Sequence, residues 1–125
     1  MPPNPAILLI AHGSRNQQAN DDLYWLAAEL RLRGFERVEA SFLEFATPDI
    51  HTAGITCVEK GATTVLMVPY FLAAGVHVLQ DLTKAKALLC QEFPNVSFQL
   101  ALPLGRHSSM VDLVMERINE TKGEA

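Results

Sequence analysis

Four short apolar runs alternate with four amphipathic segments of helical period along these 125 residues, and that alternation limits the chain to few architectures. The first run, Ala6 to Ala11, follows Pro2, Pro3 and Pro5, which keep the opening residues out of regular structure. From about Asn16 to Arg33, Leu23, Leu26, Ala27 and Leu30 recur at helical spacing, and Gly34 supplies a stop. Val38 to Phe45 reads as a second strand, and Thr47-Pro48-Asp49 as the start of a helix reaching Lys60. Thr63 to Val68 is a β-branched strand closed by Pro69. The next helix carries Val78, Leu82, Ala85 and Leu89 and ends before Pro94. Val96 to Ala101 is the fourth strand, and Ser108 or Ser109 is placed to cap a last helix bearing Met110, Val114 and Ile118. The tail, Thr121 to Ala125, is expected to fray.

Four successive strand–helix units call for a parallel sheet with right-handed crossovers. The expected fold is α/β: a single doubly wound domain over residues 1–125, with a four-stranded parallel sheet flanked by helices on both faces. A hydrophobic fraction of 49% against 19% charged residues suits one compact core. The net charge of -4 argues against nucleic acid as a partner, since a phosphate backbone asks for a basic patch. No apolar run approaches the roughly 20 residues that span a bilayer, so no membrane partner is expected and the cytoplasm is the expected address. Cys57 and Cys90 lie far apart without a CxxC pair and read as small core residues.

Ligands of an open parallel sheet bind beyond the carboxyl ends of its strands, where loops converge and helix N-termini present unpaired N–H groups. His12 and Glu44 stand at the ends of the first two strands, His77 follows the third, and Arg106 and His107 follow the fourth. Two imidazoles and a carboxylate on one rim suit divalent-metal handling, because neutral imidazole binds first-row transition metals and a carboxylate can ligate or take a proton. A polar ring directly after a buried strand favours a functional His12. Glu44 can equally serve a surface ion pair, and His77 an exposed loop. His51, inside a helical pattern, and His107, beside a helix start, are better explained by surface or capping roles. Arg15 and Arg106 are solvated loop charges on one reading and carboxylate-binding groups on another.

Ala11 precedes the His12-Gly13 pair and Arg15 follows it, whereas phosphohistidine phosphatases and mutases carry an arginine ahead of the pair. The Walker and GxGxxG patterns are absent. Phosphoryl transfer through His12 is thus the weakest of three functional readings.

Four pieces, LLIAHGSR at 8–15, SFLEFATPDI at 41–50, VPYFLAAGVHVLQDL at 68–82 and LPLGRHSSMVDLVMERI at 102–118, together resemble the sirohydrochlorin chelatase family in its short, CbiX-like form. The resemblance implies insertion of a divalent metal, Co2+ first and Fe2+ or Ni2+ after it, into sirohydrochlorin or a related tetrapyrrole in cobalamin or siroheme biosynthesis. It makes His12 and His77 the active-site pair and matches Glu44 to the glutamate of the FLE segment. It further implies a cleft between two α/β halves, hence a homodimer, with Phe71 and Leu72 against the macrocycle and Arg15 and Arg106 near its carboxylates. The metal is then a substrate, and no permanent cofactor is expected. Where members commonly continue as HxxxDIP, this chain reads His77-Val78-Leu79-Gln80-Asp81-Leu82-Thr83, and Ser108 stands where proline often follows the last-loop histidine. A non-catalytic metal- or tetrapyrrole-binding module is the alternative reading.

Overall fold

A computed structural model describes residues 5–123; Pro2 and Pro3, and Glu124 and Ala125 of the tail, lie outside them. The elements run β1 (Ala6–Ala11), α1 (Gln17–Leu32), β2 (Val38–Phe42), α2 (Ile50–Glu59), β3 (Thr64–Pro69), α3 (Val76–Glu92), β4 (Ser97–Leu100) and α4 (Ser108–Thr121). The strands form one parallel sheet in the order β2-β1-β3-β4. The α/β architecture and the parallel sheet follow the sequence expectation.

Side chains alternate across the strands, so each strand feeds two cores. Ala6, Leu8 and Ile10 of β1, with Val65, Met67 and Phe98, pack against α2 and α3 through Ile50, Ala53, Cys57, Leu82 and Leu89. Ile7 and Leu9 point to the other face and pack with Val38, Ala40 and Phe42 against Leu23 and Ala27 of α1. Leu66 and Val68 of β3 share this second face but are only partly buried.

Two expectations are corrected. The second strand ends at Phe42 rather than Phe45: its neighbour β1 stops at Ala11, and the chain turns away through Phe45 at φ 65°. Neither Ser108 nor Ser109 caps the last helix; His107 does, its Nδ1 accepting a hydrogen bond from the Ser109 N–H at 3.1 Å. α4 ends at Thr121, the first residue of the expected tail, and Lys122 and Gly123 follow as a turn. A further difference is that α4 forms but buries none of its residues, so its apolar stripe covers neither face of the sheet.

Candidate active site

The carboxyl rim is built first from backbone. After β1 and β2 end, Leu43 N–H still donates to Ala11 O and Glu44 N–H to His12 O, both at 3.0 Å, so the two loops leave the sheet side by side. Gly13 sits between them at φ 95°, and a Cβ there would lie 1.8 Å from the Glu44 carbonyl oxygen. Only glycine lets the two chains approach this closely.

Asn20, buried on α1, clasps the same loop from below. Its Oδ1 accepts from Ser14 N–H at 3.0 Å and its Nδ2 donates to Ser14 O at 2.8 Å. Ser14 Oγ accepts from the Asn16 N–H, and Asn16 in turn caps α1 by accepting from Gln18 N–H. The polar run that follows His12 is therefore a stiff connection rather than a loose loop.

On this frame His12 Nε2 meets Glu44 Oε1 at 2.8 Å. Both side chains are about half exposed, at 55% and 52%, so the pair faces solvent and anything bound over the rim. An ionised carboxylate only accepts, so beside it a neutral imidazole carries its proton on Nε2 and keeps a lone pair on Nδ1. Such a dyad can ligate a metal or take up a proton, with Glu44 balancing the imidazolium that results.

The Arg15 guanidinium stacks 5.0 Å from the centroid of the Phe45 ring. The two residues line a cleft of about 500 Å³ together with Ser14, Asn20, Tyr24 and Thr47. A stacked guanidinium keeps its N–H edge for an anion, which suits a carboxylate-bearing ligand.

The other rim candidates stand apart from the dyad. His77 is exposed on the first turn of α3, where Gly75 precedes the helix without a side-chain cap. Among the described residues no three His, Cys, Asp or Glu side chains converge into a metal-holding group. Leu72 is 61% exposed on the loop after β3, whereas Phe71 turns inward and packs against the α2–α3 core. Arg106 is exposed, at φ 53°, in the loop after β4.

His51 and His107 are explained structurally, as expected. His51 Nε2 pairs with Glu92 across α2 and α3, and His107 caps α4. Cys57 is buried and Cys90 partly so; neither forms a disulfide. The residue that sequence reasoning missed is Asn20. Its position in a polar helical stretch gave no sign of burial, and only its distance of six residues from Ser14 in a capped first turn hinted at the clasp.

Comparison with known proteins decides the family. The sequence profile of the CbiX family matches residues 6–121. The chain belongs to the CbiX family. A chloroplastic sirohydrochlorin ferrochelatase of Arabidopsis thaliana is 34% identical over 113 residues, covering 90% of this chain and 50% of the relative. A sirohydrochlorin cobaltochelatase of Sulfurisphaera tokodaii is 32% identical over 114 residues and is covered to 91%, as is this chain. The sirohydrochlorin chelatase SirB of Bacillus subtilis subspecies spizizenii, solved in complex with cobalt, superposes with a TM-score of 0.84 at 28% identity. That match covers 94% of this chain and 50% of SirB. This CbiX-family chain thus spans about half the length of some relatives and nearly all of others. No helix among its described residues is long and apolar enough to cross a membrane.

Proposed function

We propose that this chain is a metal chelatase that inserts a divalent metal, Co2+ or Fe2+, into sirohydrochlorin or a related tetrapyrrole, in cobalamin or siroheme biosynthesis. The observation that carries the reading is the His12–Glu44 dyad, set by backbone pairing and the Gly13 turn at the sheet's carboxyl rim. Names of relatives on both sides of the cobalt and iron division support the substrate class and leave both metals in play.

Insertion exchanges two macrocycle N–H protons for one divalent ion, so the site must take two protons. His12 Nδ1 accepts one, and the Glu44 carboxylate stabilises the imidazolium across the 2.8 Å contact. His77 accepts the second and helps deliver the metal; its exposed place at the helix start leaves the ring free to reach a macrocycle above the rim. Glu44 assists ligation. The metal is a substrate throughout. Arg15 and Arg106 meet peripheral carboxylates, Leu72 offers apolar contact, and Phe71 supports that loop from beneath.

The cleft lined by Arg15 and Phe45, about 500 Å³, is small for a tetrapyrrole, and a second copy of this half-length unit supplies the facing wall. We place this homodimer in the cytoplasm, a reading supported by two cysteines that form no disulfide.

The test is the visible absorption change when the protein meets sirohydrochlorin with Co(II), and in parallel Fe(II), under anaerobic conditions. Insertion above background is expected, falling by about 10²–10⁴-fold in His12→Ala and His77→Ala. Glu44→Gln is expected to lose about 10–100-fold, as for a group that supports another's ligation and basicity. Binding of metal or macrocycle without accelerated insertion would overturn the enzyme and favour a binding module.

A further inference from the structure

α1 turns a buried stripe towards the sheet through Asn20, Leu23 and Ala27, spaced as one helix face requires. Leu23 and Ala27 join the core of Ile7, Leu9 and Phe42, but the first member of the stripe is a carboxamide only 5% exposed. An apolar residue is the default at such a position, since a polar group taken out of water is costly unless it is bonded. Asn20 is bonded twice, and both partners belong to one residue: Ser14 N–H donates to its Oδ1 at 3.0 Å, and its Nδ2 donates to Ser14 O at 2.8 Å. A carboxamide offers an acceptor and a donor together, which is what the two backbone groups of a single residue require. The buried amide is thus explained by what it holds rather than by core filling.

Ser14 stands between two groups with separate tasks. His12, two residues before it, meets Glu44 Oε1 at 2.8 Å, and Arg15, the next residue, stacks on Phe45. Glu44 and Phe45 are neighbours on the facing loop, where the chain turns at Phe45 with φ 65°. The segments 12–15 and 44–45 therefore touch at both ends of the first segment, and between these contacts Asn20 fastens Ser14 to α1. Two hollows flank the clasp. One, of about 230 Å³, has His12 in its wall, and the other, of about 500 Å³, has Arg15 and Phe45. Their shared lining residues are Ser14 and Asn20, which form the partition between the imidazole side and the guanidinium side.

We propose that Asn20 is a positioning residue: through Ser14 it fixes His12 relative to Arg15, so that a carboxylate-bearing ligand held at Arg15 is presented to His12 in one register. It acts through backbone and not on the ligand. Its consequence for turnover rests on the chelatase reading above, whereas its consequence for geometry does not. A reacting group displaced by about 1 Å loses on the order of a hundredfold in rate. Loss of the clasp is therefore felt in kcat, while Arg15 still holds a carboxylate and KM is retained.

Asn20→Leu removes both bonds at nearly constant volume, and Asn20→Ala takes its place if the leucine variant does not fold. Geometry is read first, without substrate, by amide hydrogen exchange and proton NMR of the full chain. The Glu44 amide, which donates to His12 O at 3.0 Å, is expected to exchange about tenfold faster or more in the variant. The upfield ring-current shift of the Arg15 side-chain protons over Phe45 is expected to collapse. Either signature left at its wild-type value overturns the proposal. Insertion of Co(II) into sirohydrochlorin is read next, in the wild-type and in the Arg15→Ala background. Asn20→Leu is expected to lower kcat by about 10–100-fold and to leave the KM for sirohydrochlorin within about threefold. With Arg15→Ala the fixed spacing has no anchored ligand to act on, and the same substitution is expected to cost less than about threefold further. An unchanged kcat, or an equal loss in both backgrounds as general loosening of the fold gives, overturns the positioning role. If the wild-type chain inserts no metal, the chelatase reading falls by itself, and the exchange and ring-current measurements still decide whether Asn20 fixes His12 to Arg15.

Discussion

His12 Nε2 and Glu44 Oε1 meet at 2.8 Å, and the residues around them serve to keep that contact. Gly13 is the least replaceable, since an added methyl would meet the Glu44 carbonyl and a φ of 95° disfavours any side chain. Gly13→Ala is expected to cost about 2 kcal/mol or more, read by urea unfolding, and to lower insertion together with stability. Cys57 offers a contrasting test away from the rim. Burial, followed by the nearby Glu39 carboxylate, pushes its thiol up to about 12 from its ordinary value. A raised folded pKa stabilises the fold while the thiol is protonated, so this contribution is full below about pH 9 and is lost towards pH 12. Native protein is expected to react with a maleimide at Cys90 before Cys57, and both thiols to react at once in denaturant. Equal native rates would contradict the packing.

At the scale of elements, the rim depends on how each helix begins. Asn16 caps α1, and Asp49 caps α2 by accepting from the Thr52 N–H at 2.8 Å. Hydrogen bonds from Thr52, with the His51 charge a minor contributor, hold the Asp49 carboxyl below its ordinary value. The support that this cap gives α2 is present above the ordinary carboxylate pKa and is lost as pH falls through the lowered one. Its exposure keeps the effect small. His51 pairs with Glu92 on the exposed surface of α2 and α3. His51→Ala is expected to cost less than about 1 kcal/mol in thermal unfolding and to leave insertion at the wild-type rate. Loss of activity in that variant would place His51 among the site residues instead.

For the whole molecule, the uneven cover of the two sheet faces matters most. One face is closed by α2 and α3, and the other is half open beside α1. In the homodimer proposed above, folding and association are linked by mass action. The thermal midpoint is then expected to rise with protein concentration, and a midpoint constant over a hundredfold range would contradict the linkage.

Periodicity was enough to determine the eight elements, because apolar alternation and helical spacing are local properties written into each segment. It also determined that His12, Glu44, His77 and Arg106 follow the ends of parallel strands, since chain order sets which end of the sheet they reach. Family motifs marked His12 and Glu44 together. Their contact, however, depends on the β1–β2 register carried on through Ala11 and His12, which joins residues 32 positions apart. The clasp by buried Asn20, the inward turn of Phe71 and the cap by His107 were likewise decided only in three dimensions. So was the open stripe of α4: the pattern of Val111, Val114 and Ile118 announces that one face must be covered, but burial depends on what a neighbouring element leaves vacant.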